Sequence, residues 1–252
     1  MSFRIISPYF TLQFLLFFSL LVPQSGWAQT KYELKYKTDI PIGAVGLGTL
    51  TASYFMGRKS EAPTPQQIQL LNRDDIWKFD RSATYRWSPK CATASDVFMY
   101  SSFVMPGLLF INKNVRQERY VTLLYAETMA LSAGITSLVK ELTHRYRPYA
   151  YNENVSMEKK LKKDTRMSFF SGHTSLVASS SFFMAKVYSD LNPNSKLKPL
   201  VWTSCALLPA IVGILRYCAG KHYPTDIIVG YATGAAIGFF VPYIHKKKEF
   251  RP

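Results

Sequence analysis

The chain has 252 residues, with 31 Lys and Arg against 16 Asp and Glu, and three Cys. A hydrophobic content of 48% excludes a disordered chain, 13 Gly and 14 Pro exclude collagen-like or low-complexity architectures, and three Cys without a CxxC pair give neither a disulfide framework nor a zinc-finger signature. The net charge of +15 favours anionic partners: nucleic acid, a membrane surface or phosphate-bearing substrates.

In chain order, residues 1–28 read as an export signal. Arg4 supplies the positive start, Phe10 to Val22 the apolar run, and Gly26-Trp27-Ala28 a small-residue cleavage site after Pro23. The alternative is an uncleaved first anchor. Either places the following segment outside the cytoplasm, where nucleic acid is absent and disulfides can form. Six apolar stretches follow, at 40–56, 92–112, 120–139, 167–185, 199–215 and 227–244. Their lengths sit at the lower end of what crosses a bilayer as a helix. Stretches 199–215 and 227–244 carry no charge; the others hold Asp96, Glu127 or His173, or the closely spaced Gly43, Gly46 and Gly48. No run alternates with period two for long enough to predict a sheet. The expected fold class is all-α: a bundle of five or six apolar helices embedded in a membrane, or a soluble helical protein. The expected organisation is a 29–91 segment with one apolar helix and a polar loop, a helical-bundle domain over 92–246 and a basic tail over 247–252. Two polar connections stand out, 57–91 with Pro63 and Pro65, and 149–166 with Lys159, Lys160, Lys162, Lys163 and Arg166. The second reads as a solvated loop or as a patch for anionic head groups, worth roughly 1 kcal/mol per charge near such a surface.

Three short clusters carry chemistry jointly. Lys140 and Arg147, seven apart, share a helical face if the helix continues to Pro148, which ends it. Ser171-Gly172-His173 opens a helix, with serine as N-cap, glycine allowing close approach, and free N–H groups forming an anion site. Arg216 through Asp226 places His222 and Asp226 four apart, so that the carboxylate binds one imidazole nitrogen and leaves the other free to attack. Together they supply three cations for the three non-bridging oxygens of a phosphoryl group, two neutral donors, a nucleophile and a proton donor.

The pattern Lys-x6-Arg-Pro, Ser-Gly-His and Arg-x5-His-x3-Asp, spanning Lys140 to Asp226, resembles the signature of the type 2 phosphatidic acid phosphatases. That superfamily also holds bacterial non-specific acid phosphatases and vanadium haloperoxidases. The resemblance implies that fold, with helices from about 92 to 244, and a phosphoric ester hydrolase. His222 would attack phosphorus and form a phosphohistidine, Asp226 would orient it, and His173 would protonate the leaving oxygen. Lys140, Arg147, Ser171, Gly172 and Arg216 would bind phosphate, with no metal and no cofactor. Phe170 stands where the family has proline, and Leu215 where it has serine, which leaves turnover and substrate preference open. The expected partners are a lipid phosphate substrate and membrane lipids, not nucleic acid. The lipid candidates are phosphatidate, phosphatidylglycerophosphate, a polyprenyl pyrophosphate and lipid A phosphates. The rival readings are a soluble periplasmic acid phosphatase, a vanadate-dependent haloperoxidase and a non-catalytic membrane protein.

Parity constrains the topology. With residue 29 outside and six crossings, Lys140, Ser171 and His222 face the cytoplasm; if 40–56 does not cross, they face outside. Members of the family embedded in membranes face their site away from the cytoplasm. The expectation is therefore a bacterial cell-envelope protein with an exterior site and 40–56 out of the bilayer. Cys91 and Cys218 share a face under either parity, which permits a disulfide between them.

Overall fold

The computed structural model describes residues 30–250, so the predicted leader at 1–28 lies outside the described residues. Among the described residues six long helices form the bundle: α1 (Tyr36–Lys59), α2 (Pro89–Val104), α3 (Val121–Thr143), α4 (Gly172–Leu191), α5 (Lys198–Cys218) and α6 (Pro224–His245). Among the described residues the extended structure is a single bridge between Tyr32 and Lys246. The helix starts follow local chemistry. Ser88 caps α2 by accepting the Cys91 N–H, with Pro89 in the first turn, where its missing N–H costs nothing. Ser171 caps α4, and Pro224 opens α6. The end of α3 comes earlier than expected. His144 adopts a left-handed conformation (φ 44°), so the helix stops at Thr143 and Arg147 lies beyond it. Lys140 and Arg147 are thus not on one helical face; a loop brings them together. The apolar stretch at 167–185 likewise becomes helical only at Gly172.

α4 occupies the centre and packs against α2, α3, α5 and α6. Five of these six helices are long and apolar enough to cross a membrane; α4 is not among them, because His173, its serines, Lys186 and Asp190 lower its hydropathy. Ser175, Ser179, Ser180 and Ser181 on α4 are fully buried. Ser179 Oγ donates to Ser132 Oγ at 2.8 Å, and Ser180 Oγ to the Ser102 carbonyl at 2.5 Å. Helices in lipid associate by close contact and interhelical hydrogen bonds, not by escape from water. Three glycines one turn apart on α6 permit that contact. A Cβ at Gly230, Gly234 or Gly238 would fall 2.6, 2.1 or 2.3 Å from the carbonyl of Ser171, Ser175 or Ser179. The outer faces carry exposed Tyr100, Leu123, Ile214, Ile228 and Phe240, the apolar girdle of a membrane protein.

The helices run alternately between the two ends of the bundle. α1 lies parallel to α3, Gly46 meeting Leu131 and Gly57 meeting the Glu141 side chain. The stretch 40–56, expected to stay out of the bilayer, is the middle of a 24-residue helix that is long and apolar enough to cross one. Residues 30–35 and 246–250 therefore share one end, tied by Glu33 N–H to the His245 carbonyl and Lys247 N–H to the Lys31 carbonyl, both 2.9 Å. The three clusters occupy the opposite end. Cys91, Cys205 and Cys218 are free thiols, so the permitted Cys91–Cys218 disulfide is not formed.

Candidate active site

His222 sits just before α6, 1% exposed, in a turn set by Gly220. Gly220 has φ 65°, and a Cβ there would lie 2.1 Å from the Arg86 carbonyl, so the turn requires glycine. The Nδ1 of His222 donates to the Ser168 carbonyl at 2.8 Å, which leaves the lone pair on Nε2, 3.4 Å from Arg147 Nη1. Burial, followed by the charges of Arg147, Lys140, Arg216 and His173, holds the imidazole well below its ordinary titration range. It is a neutral base surrounded by cations.

Asp226 lies nearby, but the expected direct pairing is modified. Its Oδ2 is 3.5 Å from His222 Nδ1, farther than the Ser168 carbonyl. The carboxylate, fully buried, instead accepts the Ser168 hydroxyl at 2.6 Å, the Tyr223 N–H at 3.0 Å and Arg145 Nη1 at 2.6 Å. Its position at the third residue of α6 makes it a helix cap first, with its charge close to the first-turn N–H groups. Asp226 thus holds the segment that holds His222.

The cations converge from three elements. Lys140 Nζ donates to the Met167 carbonyl at 2.7 Å. Arg147 is clamped by Asp164, through its carbonyl at 2.8 Å and its carboxylate at 2.7 Å. Against the burial that would raise it, Arg147, Lys221 and Lys140 hold the Asp164 carboxyl well below the usual range. Arg216, 2% exposed, donates to Ser95 Oγ at 3.2 Å and approaches Asp96 Oδ1 at 3.4 Å, while its Nε is buried without a partner. Ser171 caps α4 and its hydroxyl lies 2.8 Å from Thr174 Oγ1. A Cβ at Gly172 would crowd the Thr136 methyl at 3.3 Å and make ordinary contact with Lys140 at 3.5 Å. His173 is buried, with Nε2 2.6 Å from Asp96 Oδ1.

The fold therefore brings together all eight residues singled out in the sequence: Lys140, Arg147, Ser171, Gly172, His173, Arg216, His222 and Asp226. It adds five that motif reading missed. Asp96 had one visible signal, a lone acid in an apolar stretch, which in a membrane helix points to function. Arg145, Asp164 and Ser168 join elements distant in sequence. Asp80, 1% exposed, accepts Arg145 Nη2 at 2.8 Å and the Thr225 N–H at 3.0 Å, which assigns the 57–91 segment the task of buttressing the start of α6.

A family model described as the PAP2 superfamily matches residues 121–250. Phosphatidylglycerophosphatase B of Bacillus subtilis (strain 168) is 27% identical over 159 residues, covering 60% of this chain and 72% of that protein. A PA-phosphatase related-family protein of Dictyostelium discoideum is 26% identical over 167 residues, 61% of each chain. A solved transmembrane PAP2 type phosphatidylglycerolphosphate phosphatase from Bacillus subtilis is 18% identical with a TM-score of 0.48, covering 92% of this chain and 94% of that one.

Proposed function

From the premise that this chain belongs to the PAP2 superfamily and is a phosphoric ester hydrolase, we propose that it removes the terminal phosphate from a lipid phosphate monoester or pyrophosphate through His222. Phosphatidylglycerophosphate is the first substrate to test. The observation that carries the reading is the buried imidazole of His222, its tautomer set by the Ser168 carbonyl and its Nε2 lone pair turned toward Arg147.

Phosphoryl transfer needs positioning and charge stabilisation more than covalent help. Lys140, Arg147 and Arg216 hold the three non-bridging oxygens, with the unpartnered Arg216 Nε as one ready donor and the Ser171 hydroxyl and Gly172 N–H as neutral ones. His222 Nε2 attacks phosphorus and the P–O bond to the lipid breaks. His173 gives its proton to the departing oxygen. The imidazole of His222 gains positive charge as the N–P bond forms, and the Ser168 carbonyl and the Asp226 carboxylate stabilise it. Water then attacks phosphorus, His173 takes its proton, the P–N bond breaks and phosphate leaves. Each step conserves protons between His173, lipid and water, and the chain's own residues supply every group.

We place the site on the exterior face. Lys246 to Lys248 at the far end then lie in the cytoplasm, as the positive-inside tendency prefers, while the more numerous Lys and Arg at the site end, Arg147 and Arg216 among them, face phosphate there. Residues 30–35 share the far end, so an exterior site and a leader cleaved after Ala28 exclude one another. A membrane-impermeant thiol reagent that labels a cysteine engineered into 149–166 in intact cells supports this orientation; protection until lysis overturns it.

The test of the chemistry is phosphate release by detergent-purified protein from a panel of lipid and soluble phosphates, with EDTA present and well below the melting temperature. Activity should persist, vanish in His222→Ala, and fall by roughly 10²–10⁴-fold in His173→Ala, as for a lost general acid. Turnover surviving in His222→Ala refutes the mechanism.

A further inference from the structure

At the end of the bundle remote from His222, three helices bring together Asp39 of α1, Glu127 of α3 and His245 of α6. His245 is 1% exposed. Its Nδ1 donates to the Val241 carbonyl one turn earlier, at 2.7 Å, so the neutral ring presents a lone pair at Nε2. That atom lies 2.9 Å from Asp39 Oδ1 and 3.7 Å from Glu127 Oε2, and the three atoms are within 4.8 Å of one another. Three acceptors thus face a common point. A proton on Nε2 serves Asp39 and leaves Glu127 Oε2, which is buried without a hydrogen-bond partner. The ammonium groups nearby are directed at other acids: Lys186 and Lys246 reach Asp190 at 2.5 and 2.9 Å, and Lys35 reaches Glu33 at 2.6 Å. The second oxygen of Asp39 takes the Lys35 N–H at the start of α1.

We propose that Asp39, Glu127 and His245 form a binding site for a divalent metal ion of the zinc type. One dication accepts a lone pair from all three atoms at once, which no single proton does. An imidazole nitrogen with two carboxylate oxygens is a zinc donor set that leaves a fourth position for water. The Nδ1–carbonyl bond of His245 is the outer-shell support that fixes the tautomer of a metal-bound histidine. The ion clasps α1 to α3 and α6, beside the Tyr32–Lys246 bridge, and so closes the far end of the bundle. It takes no part in phosphoryl transfer, and the inference stands or falls independently of the proposed substrate.

The test uses full-length protein in detergent, stripped with EDTA and then dialysed against zinc chloride, with metal content read by mass spectrometry and melting followed by tryptophan fluorescence. The expected result is one zinc per chain and a melting temperature raised by about 5 °C or more at saturating zinc, because a ligand bound only by the folded state stabilises it. Glu127→Gln and Asp39→Asn keep the side-chain shapes. Each should lose the zinc and the shift while retaining the metal-free melting temperature and phosphate release, and His222→Ala should keep both zinc and shift. The proposal is overturned if the wild-type chain takes up no stoichiometric zinc and shows no shift. It is equally overturned if Glu127→Gln retains the ion while His222→Ala loses it, which would place the ion on the phosphatase histidines. Should either carboxamide variant fail to fold, the zinc content and melting response of the wild-type chain decide alone.

Discussion

Asp226→Asn separates two accounts of how His222 is held. If Asp226 alone fixed the imidazole tautomer, an amide in its place would allow the wrong tautomer, and turnover would fall by about 10⁴, as in serine-protease triads so altered. Here the Ser168 carbonyl lies closer to Nδ1 than the carboxylate does, 2.8 against 3.5 Å, so the tautomer survives. What is lost is charge. At an effective dielectric of about 20, a full charge 3.5 Å from an imidazole becoming positive contributes roughly 4–5 kcal/mol before its neighbours are counted. Arg145, 2.6 Å from the other oxygen, remains in the variant and does not lessen this loss, so kcat should fall by roughly 10³-fold. Stability suffers as well. An amide cannot accept from Arg145, Ser168 and the Tyr223 N–H together, and breaking a buried ion pair costs about 3–5 kcal/mol. At about 2–4 °C per kcal/mol for a chain of this size, the melting temperature in detergent should drop by roughly 6–20 °C. Steady-state phosphate release and fluorescence-monitored melting measure both. A 10⁴-fold loss of turnover with unchanged melting would refute the assignment of the tautomer to Ser168.

Gly234→Ala places a methyl 2.1 Å from the Ser175 carbonyl, so α4 and α6 must separate; melting should reveal a loss of about 1–3 kcal/mol, and a wild-type melting curve would contradict the close approach. Asp96→Asn removes the carboxylate 2.6 Å from His173 Nε2 and should lower kcat about tenfold on a lipid substrate, within the range of general-acid effects, but leave turnover of an ester with a good leaving group almost unchanged. Equal losses on both substrates would show that Asp96 does not act through the acid. Lys221 is pushed down to about 7 by burial and then by Arg147. Between about pH 7 and 10 the unfolded chain carries a proton here that the folded chain lacks, so this group makes stability rise with pH across that window. Lys221→Met should flatten the slope of melting temperature against pH there; an unchanged slope would assign the effect to another group.

The parts of the site legible in the sequence were those whose spacing is local. Ser171 reads as a cap because the next residues form a helix, and His222 and Asp226 declare themselves by standing four apart. Their partners were not legible, because each comes from a different element: Asp80 meets Thr225, 145 positions away, and Asp96 meets His173, 77 positions away. Spacing also misled where the backbone departs from helix. A left-handed His144 ends α3 before Arg147, and an N-terminal cap, not an interior turn, sets the distance from Asp226 to His222. The helix lengths were legible from apolar runs. The central place of α4 was not, since Ser179 and Ser180 look polar until Tyr125, Ser132 and the Ser102 carbonyl are seen to satisfy them.

The row of glycines on α6 has a mechanical consequence for the reaction. Gly230 rests on the backbone of Ser171, whose N–H in turn donates to the Asp226 carbonyl at 2.9 Å. The first turn of α4, proposed to cradle the substrate oxygens, and the first turn of α6, which follows the proposed nucleophile His222, are therefore riveted into one rigid body. Warming should leave the two in register until that joint opens, so inactivation and loss of the α4–α6 seam should occur at one temperature, with no heated yet folded species that has already stopped turning over.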